Sequence, residues 1–185
     1  MNKQSIKLAE TTLLILNKES WNSIKLDEIY KKSKVNKKKL QKKISSKLDL
    51  LSNINRYFDL QLMSTSEIVD QSSHKDMIFE VMMMRFDILQ NNRKALHSIF
   101  NSFKNKPQEL IFLLPYLLNS MILMANYANI SVRGLRGQLL LKGILIIYCS
   151  TFLIWLQDDS TSLDKTMTSL DSNLDKAGNI LKFFK

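Results

Sequence analysis

Hydrophobic positions recur along this chain at intervals of three and four, the spacing that places side chains on one face of a helix. Ile6, Ala9, Leu13, Leu14 and Leu16 predict a first helix over about residues 3–18. Trp21 and Ile24 follow a short break, and Leu26, Ile29 and Tyr30 mark a second, short helix. Val35 falls in a turn, and Leu40 and Ile44 anchor a third helix over about 37–43. Ser46 is placed to cap a long fourth helix carrying Leu48, Leu50, Leu51, Ile54, Tyr57, Phe58 and Leu62. After a polar joint at 64–75, helices are expected near 75–91, 93–104, 107–127, 131–157 and 161–183. Asp158, Asp159 and Ser160 stop the long one, and Ser160 or Ser162 caps the last, whose apolar face carries Leu163, Met167, Leu170 and Leu174.

Composition supports the same picture. Four Gly and two Pro in 185 residues are too few for strands joined by tight turns, and the expectation is an all-α fold of about nine helices. The expected organisation is a head over 1–63 and a helical body over 64–185. Leu110–Ala125 and Gly143–Leu156 are apolar but shorter than a bilayer span requires, so they are read as core or dimer-interface helices. The first twenty residues lack the apolar run of a signal peptide, and the single Cys149 suits a reducing, cytoplasmic setting.

Charge is what separates head from body. The net charge is +10, and residues 1–60 hold 14 Lys/Arg against 6 Asp/Glu, while 61–185 hold 13 against 11. A basic head on a nearly neutral body is the pattern of a protein with one end on an anionic surface. The lysines concentrate around the third helix. There Asn36 is a good N-cap, Leu40 and Ile44 face inward, and Lys37, Lys38, Lys39, Lys42 and Lys43 surround the exposed faces. Two short helices about a turn plugged by one apolar residue have helix-turn-helix spacing, and such lysines would neutralise phosphates.

At this point the sequence resembles the N-terminal domain of the TetR family. The resemblance runs without gaps over about 43 residues through Ala9, Leu13, Trp21, Leu26, Ile29, Val35, Leu40, Lys47, Leu50 and Leu51. It implies a TetR-like fold, a homodimer formed by the last two long helices, and binding to double-stranded DNA. It also implies a phosphate contact from Lys47 of the Ser46-Lys47 pair. The DNA-contacting residues expected are Lys37, Lys38, Lys39, Gln41, Lys42 and Lys47, with Lys38 and Gln41 placed to touch bases. Four positions depart from the family pattern: Tyr30 stands for a small residue, Lys34 for the turn glycine, Gln41 for a tyrosine and Ile44 for an aromatic. Lys34 must then take a backbone conformation that suits glycine.

A second resemblance is local. Tyr148, Thr151, Trp155, Leu156, Asp158, Asp159, Ser160, Thr166 and Asp171 resemble the C-terminal domain of the coenzyme Q protein nine family. That likeness implies a non-enzymatic accessory of ubiquinone biosynthesis that binds an isoprenoid lipid. A helix stop followed by a cap would use the same residues. The tail 180–185 mixes phenylalanines and lysines in the manner of a peripheral membrane foot.

No catalytic group is indicated. His74 and His97 are far apart with no ligand at zinc-like spacing, Cys149 sits in an apolar helix, and Gly134-x-x-Gly137 lacks the strand that a phosphate loop needs. No metal or cofactor is expected. Met83, Phe112, Leu117, Met121, Met124, Ile147 and Trp155 are candidates to line an apolar ligand pocket, or simply core. Two functions remain open: a TetR-like DNA-binding regulator, and a lipid-binding accessory of ubiquinone synthesis.

Overall fold

The computed structural model describes residues 1–65 and 73–183, the side chains of 179–183 excepted. Among the described residues there are nine α-helices, one 3-10 segment and no strand. The helices are α1 Lys3–Leu16, α2 Leu26–Ser33, α3 Lys37–Leu40, α4 Lys47–Thr65 and α5 His74–Gln90. Then come α6 Arg93–Ser102, the 3-10 segment Pro107–Leu113, α7 Leu114–Tyr127, α8 Gly134–Trp155 and α9 Asp164–Phe183. The expected joint lies partly, and the tail 184–185 wholly, outside the described residues.

The chain packs as two compact units. The first comprises Met1–Thr65 and Ile88–Leu117, the second Ser66–Asp87 and Leu118–Lys185. The first unit therefore takes in α6 and the 3-10 segment as well as the residues before 63. The reason lies in what α1 must cover: its buried face of Leu8, Ala9, Leu13 and Leu16 packs against α2, α4 and α6. Polar ties fix these contacts. Asn53 of α4 donates to the Ser5 carbonyl at 2.9 Å, and the Trp21 backbone N–H donates to Ser98 Oγ of α6 at 2.9 Å.

Caps set the helix starts. Asn2 accepts from the Ser5 N–H at 2.8 Å ahead of α1. At α4 the Ser46 hydroxyl accepts from the Asp49 N–H at 3.1 Å, while the Asp49 carboxylate accepts from the Ser46 N–H at 2.9 Å and the Ser45 N–H at 3.0 Å. That reciprocal arrangement is a capping box with Asp in place of Glu. Partial burial alone would raise the Asp49 pKa, but these bonds outweigh it and hold the carboxyl below its ordinary value.

The second unit has an aromatic centre. Phe86 stacks on Tyr148 at 5.4 Å, and Trp155, fully buried, lies 6.4 Å from Phe86 and 5.3 Å from Phe152. Arg85 is 1% exposed; its Nε donates to the Tyr148 hydroxyl at 3.1 Å and its guanidinium lies over that ring. α8 is followed in sequence by α9 and packs against it. Between α7 and α8 the chain reverses at Asn129, φ 54°, a residue type that tolerates the left-handed region. Gly137 packs so closely on Val132 that a Cβ would lie 2.2 Å from that residue's carbonyl carbon.

The apolar segments are longer and less buried than the sequence suggested. Over 107–127 and 134–155 the chain is long and apolar enough to cross a membrane, yet only 22% and 33% of each most apolar window is buried. Of the two expectations, burial this low speaks against core and leaves the dimer interface. Much of this apolar surface is open: Leu135, Leu139, Ile146 and Leu153 of α8 are exposed, as are Ile111 and Phe112 of the 3-10 segment.

Candidate nucleic-acid interface

The helix-turn-helix is built from α2, the turn 34–36, α3 and the capped start of α4. α2 ends at Ser33, and Lys34 follows at φ 54°, ψ 28°, the left-handed conformation foreseen from the missing glycine. Asn36 then caps α3, accepting from the Lys39 N–H at 3.2 Å. α3 is shorter than the expected 37–43. Its regular part is Lys37–Leu40, and the chain continues as hydrogen-bonded turns, with the Gln41 N–H on the Lys37 carbonyl and the Ile44 N–H on the Leu40 carbonyl. Leu40 and Ile44 are buried as the i, i+4 spacing required.

Tyr30 links α2 to the turn that follows α3. Its ring is 3% exposed, and its hydroxyl donates to the Ile44 carbonyl at 2.7 Å. This bond ties α2 to the end of the α3 turn, where the last carbonyls of a short helix need partners. Burial pushes the phenol pKa up.

With the apolar residues inward, the lysines point out. Lys37, Lys38, Lys39, Gln41, Lys42 and Lys43 are all exposed. Lys37 pairs with Asp27 at 2.8 Å, and Lys32 with Glu19 at 2.9 Å. Hydrogen bonding and attraction from Lys37 hold the Asp27 carboxyl below its ordinary value. Lys38, Lys39, Lys42 and Lys43 make no ion pair among the described residues. Residues 31–47 contain lysine at nine positions and no acid.

Lys47 stands apart. Its ammonium reaches back to the Trp21 carbonyl at 2.5 Å and the Asn22 carbonyl at 3.3 Å, with the Trp21 ring 5.5 Å away. Desolvation lowers its pKa. The structure thus brings five of the six expected DNA-contacting residues onto one exposed turn and directs the sixth inward.

Residues named for an apolar pocket divide between the units. Phe112 and Leu117 belong to the first, where Phe112 is exposed; Met83, Met121, Met124, Ile147 and Trp155 belong to the second. Met121, Met124 and Trp155 are fully buried, Ile147 is buried and Met83 half-buried. Two cavities described in the first unit, of about 360 Å³ and 380 Å³, are lined by none of these seven.

The C-terminal motif is structural in its geometry. Asp158 is fully buried and accepts from the Ser160 hydroxyl at 2.6 Å and backbone at 3.2 Å, and from the Thr166 backbone and hydroxyl at 2.8 Å each. Burial alone would raise its pKa, but these four bonds bring it down to about 2. Ser160 also caps α9 by accepting from the Asp164 N–H at 3.0 Å, from beyond Leu163, which takes φ 55°. Asp171 pairs with Lys75 at 2.8 Å. Cys149 is half-buried, which raises its thiol pKa.

The arrangement has counterparts among solved structures. A TetR transcriptional regulator from Nitrosomonas europaea superposes with a TM-score of 0.73 at 18% identity, covering 96% of this chain and 99% of that one. The fold is TetR-like. A TetR-family transcriptional regulator from Streptomyces coelicolor matches with a TM-score of 0.57 at 13% identity, over 94% of this chain and 83% of that one. No family model and no curated protein sequence matches the chain. The likeness is one of overall fold, at low sequence identity.

Proposed function

We propose that this protein is a non-enzymatic, cytoplasmic DNA-binding transcriptional regulator acting as a homodimer. The observation that carries this reading is the α3 turn: Lys38, Lys39, Lys42 and Lys43 are exposed on a helix-turn-helix whose Ile29, Tyr30, Leu40 and Ile44 are buried. Unpaired ammonium groups at this density meet phosphate with release of counterions. Gln41, exposed on the same turn, has the side-chain amide that reads an adenine edge. Two copies would set their α3 turns in successive major grooves about 34 Å apart. The apolar stripe of α8 is the surface we assign to the second copy. Leu139, Ile146 and Leu153 recur at seven-residue spacing and are 58%, 68% and 48% exposed. Such a face is a liability for a monomer in water and suits a helix-to-helix interface.

The test is binding of mixed-sequence duplex DNA by fluorescence anisotropy across a salt series. The regulator reading expects binding at low salt with a steep slope, and loss of that binding when Lys38, Lys39 and Lys42 are together replaced by Gln. Undetectable binding at low salt would sink it.

A second reading is favoured by the open apolar surface of α8 and of Ile111 and Phe112. A lipid-binding accessory of ubiquinone synthesis would use such surface for an isoprenoid or a membrane. A quinone or isoprenoid precursor co-purifying with the protein, seen by mass spectrometry, would select this reading.

A further inference from the structure

A cavity of about 360 Å³ lies in the first unit. Four separate segments wall it: Trp21 and Asn22 after α1, Lys47 in the first turn of α4, Phe103 and Lys106 after α6, and Glu109 in the 3-10 segment. Trp21 and Phe103 are each 4% exposed and supply flat apolar walls. Two ammonium groups line it against one carboxylate, and Glu109 is already 3.6 Å from Lys106. Lys47 is held by carbonyl oxygens rather than by a carboxylate. A desolvated ammonium satisfied only by neutral dipoles gains strongly from an anion.

The geometry points to a binding site in this cavity for a small aromatic or other flat organic carboxylate. Its ring would lie against Trp21 and Phe103, and its carboxylate would accept from Lys47 and Lys106. The volume, at the lower end of the range for ligand pockets, admits a single ring with a carboxylate and little more.

The experiment is a titration of the full-length, nitrogen-15-labelled protein with sodium benzoate at constant ionic strength, following the indole N–H signals of Trp21 and Trp155. Saturable movement of Trp21, with Trp155 unmoved, is expected at a dissociation constant on the order of 1 mM or below. Benzylamine, of the same shape but opposite charge, should leave Trp21 unmoved. Lys47→Met, which removes the ammonium but keeps a long unbranched side chain, should weaken benzoate about tenfold or more, and Lys106→Gln about threefold. Absence of a saturable shift, equal binding of benzylamine, or wild-type affinity in Lys106→Gln would overturn the proposal. Because Lys106 is exposed, Lys106→Gln decides the matter if Lys47→Met loses its cooperative melting.

Discussion

Lys34 shows what one residue costs at a turn. It occupies the left-handed region at φ 54° with its side chain exposed, so nothing in the packing compensates its Cβ. Lys34→Gly should raise stability by about 1 kcal/mol, read as an upward shift in thermal melting, because the strain relieved exceeds the added unfolded-state entropy. No gain would mean that the turn relaxes in solution. Asp158 is the opposite case, a buried carboxylate whose charge is fully hydrogen-bonded. Its folded pKa of about 2 lies below the ordinary 3.8. Its contribution is therefore present above pH ~4 and disappears as pH falls towards 2, and it amounts to roughly 2 kcal/mol. Asp158→Asn should lower the melting temperature at neutral pH and flatten the acid limb of the stability curve. An unchanged acid limb would show that the cap is not formed.

At the level of elements, the apolar periodicity located the helices to within a few residues, because each buries one face at regular spacing; the exception is the stretch expected as one helix over 107–127, which divides into the 3-10 segment Pro107–Leu113 and α7 Leu114–Tyr127. The Ser46 cap and the inward pair Leu40 and Ile44 were legible for the same reason: they are local patterns. Three features were not. α3 ends at Leu40 and gives way to hydrogen-bonded turns, and the Tyr30 bond to the Ile44 carbonyl spans fourteen residues, a contact no local window contains. Lys47 reads as a phosphate ligand in register, yet Trp21 and Asn22 draw its ammonium inward. The cavity around it gathers four segments and leaves no trace in any one of them. For the α3 turn, each lysine among 38, 39 and 42 replaced by Gln should reduce the slope of log affinity against log salt by about 1. A slope unaffected by all three replacements would place the phosphate contacts elsewhere.

On the scale of the whole molecule, the chain packs as two units interleaved in sequence, and in the first α1 is covered by α6 as well as by α2 and α4. The apolar residues of α8 that neither unit buries are the case for a second copy. Ile146→Lys should convert a dimer into a monomer by analytical ultracentrifugation without loss of helicity, because the side chain is 68% exposed in the single chain. A wild-type protein that is monomeric at micromolar concentration would remove α8 from that role. The TetR-like fold is established by the superposition, but fold alone does not assign function. What links it to DNA is the charged turn, and the most direct measurement is the affinity of the wild-type protein for duplex DNA between low and physiological salt. The account predicts binding that weakens steeply and linearly on a log–log scale as salt rises, and is lost in the triple Lys→Gln variant. Absence of duplex binding at low salt, or binding indifferent to those lysines, would contradict it.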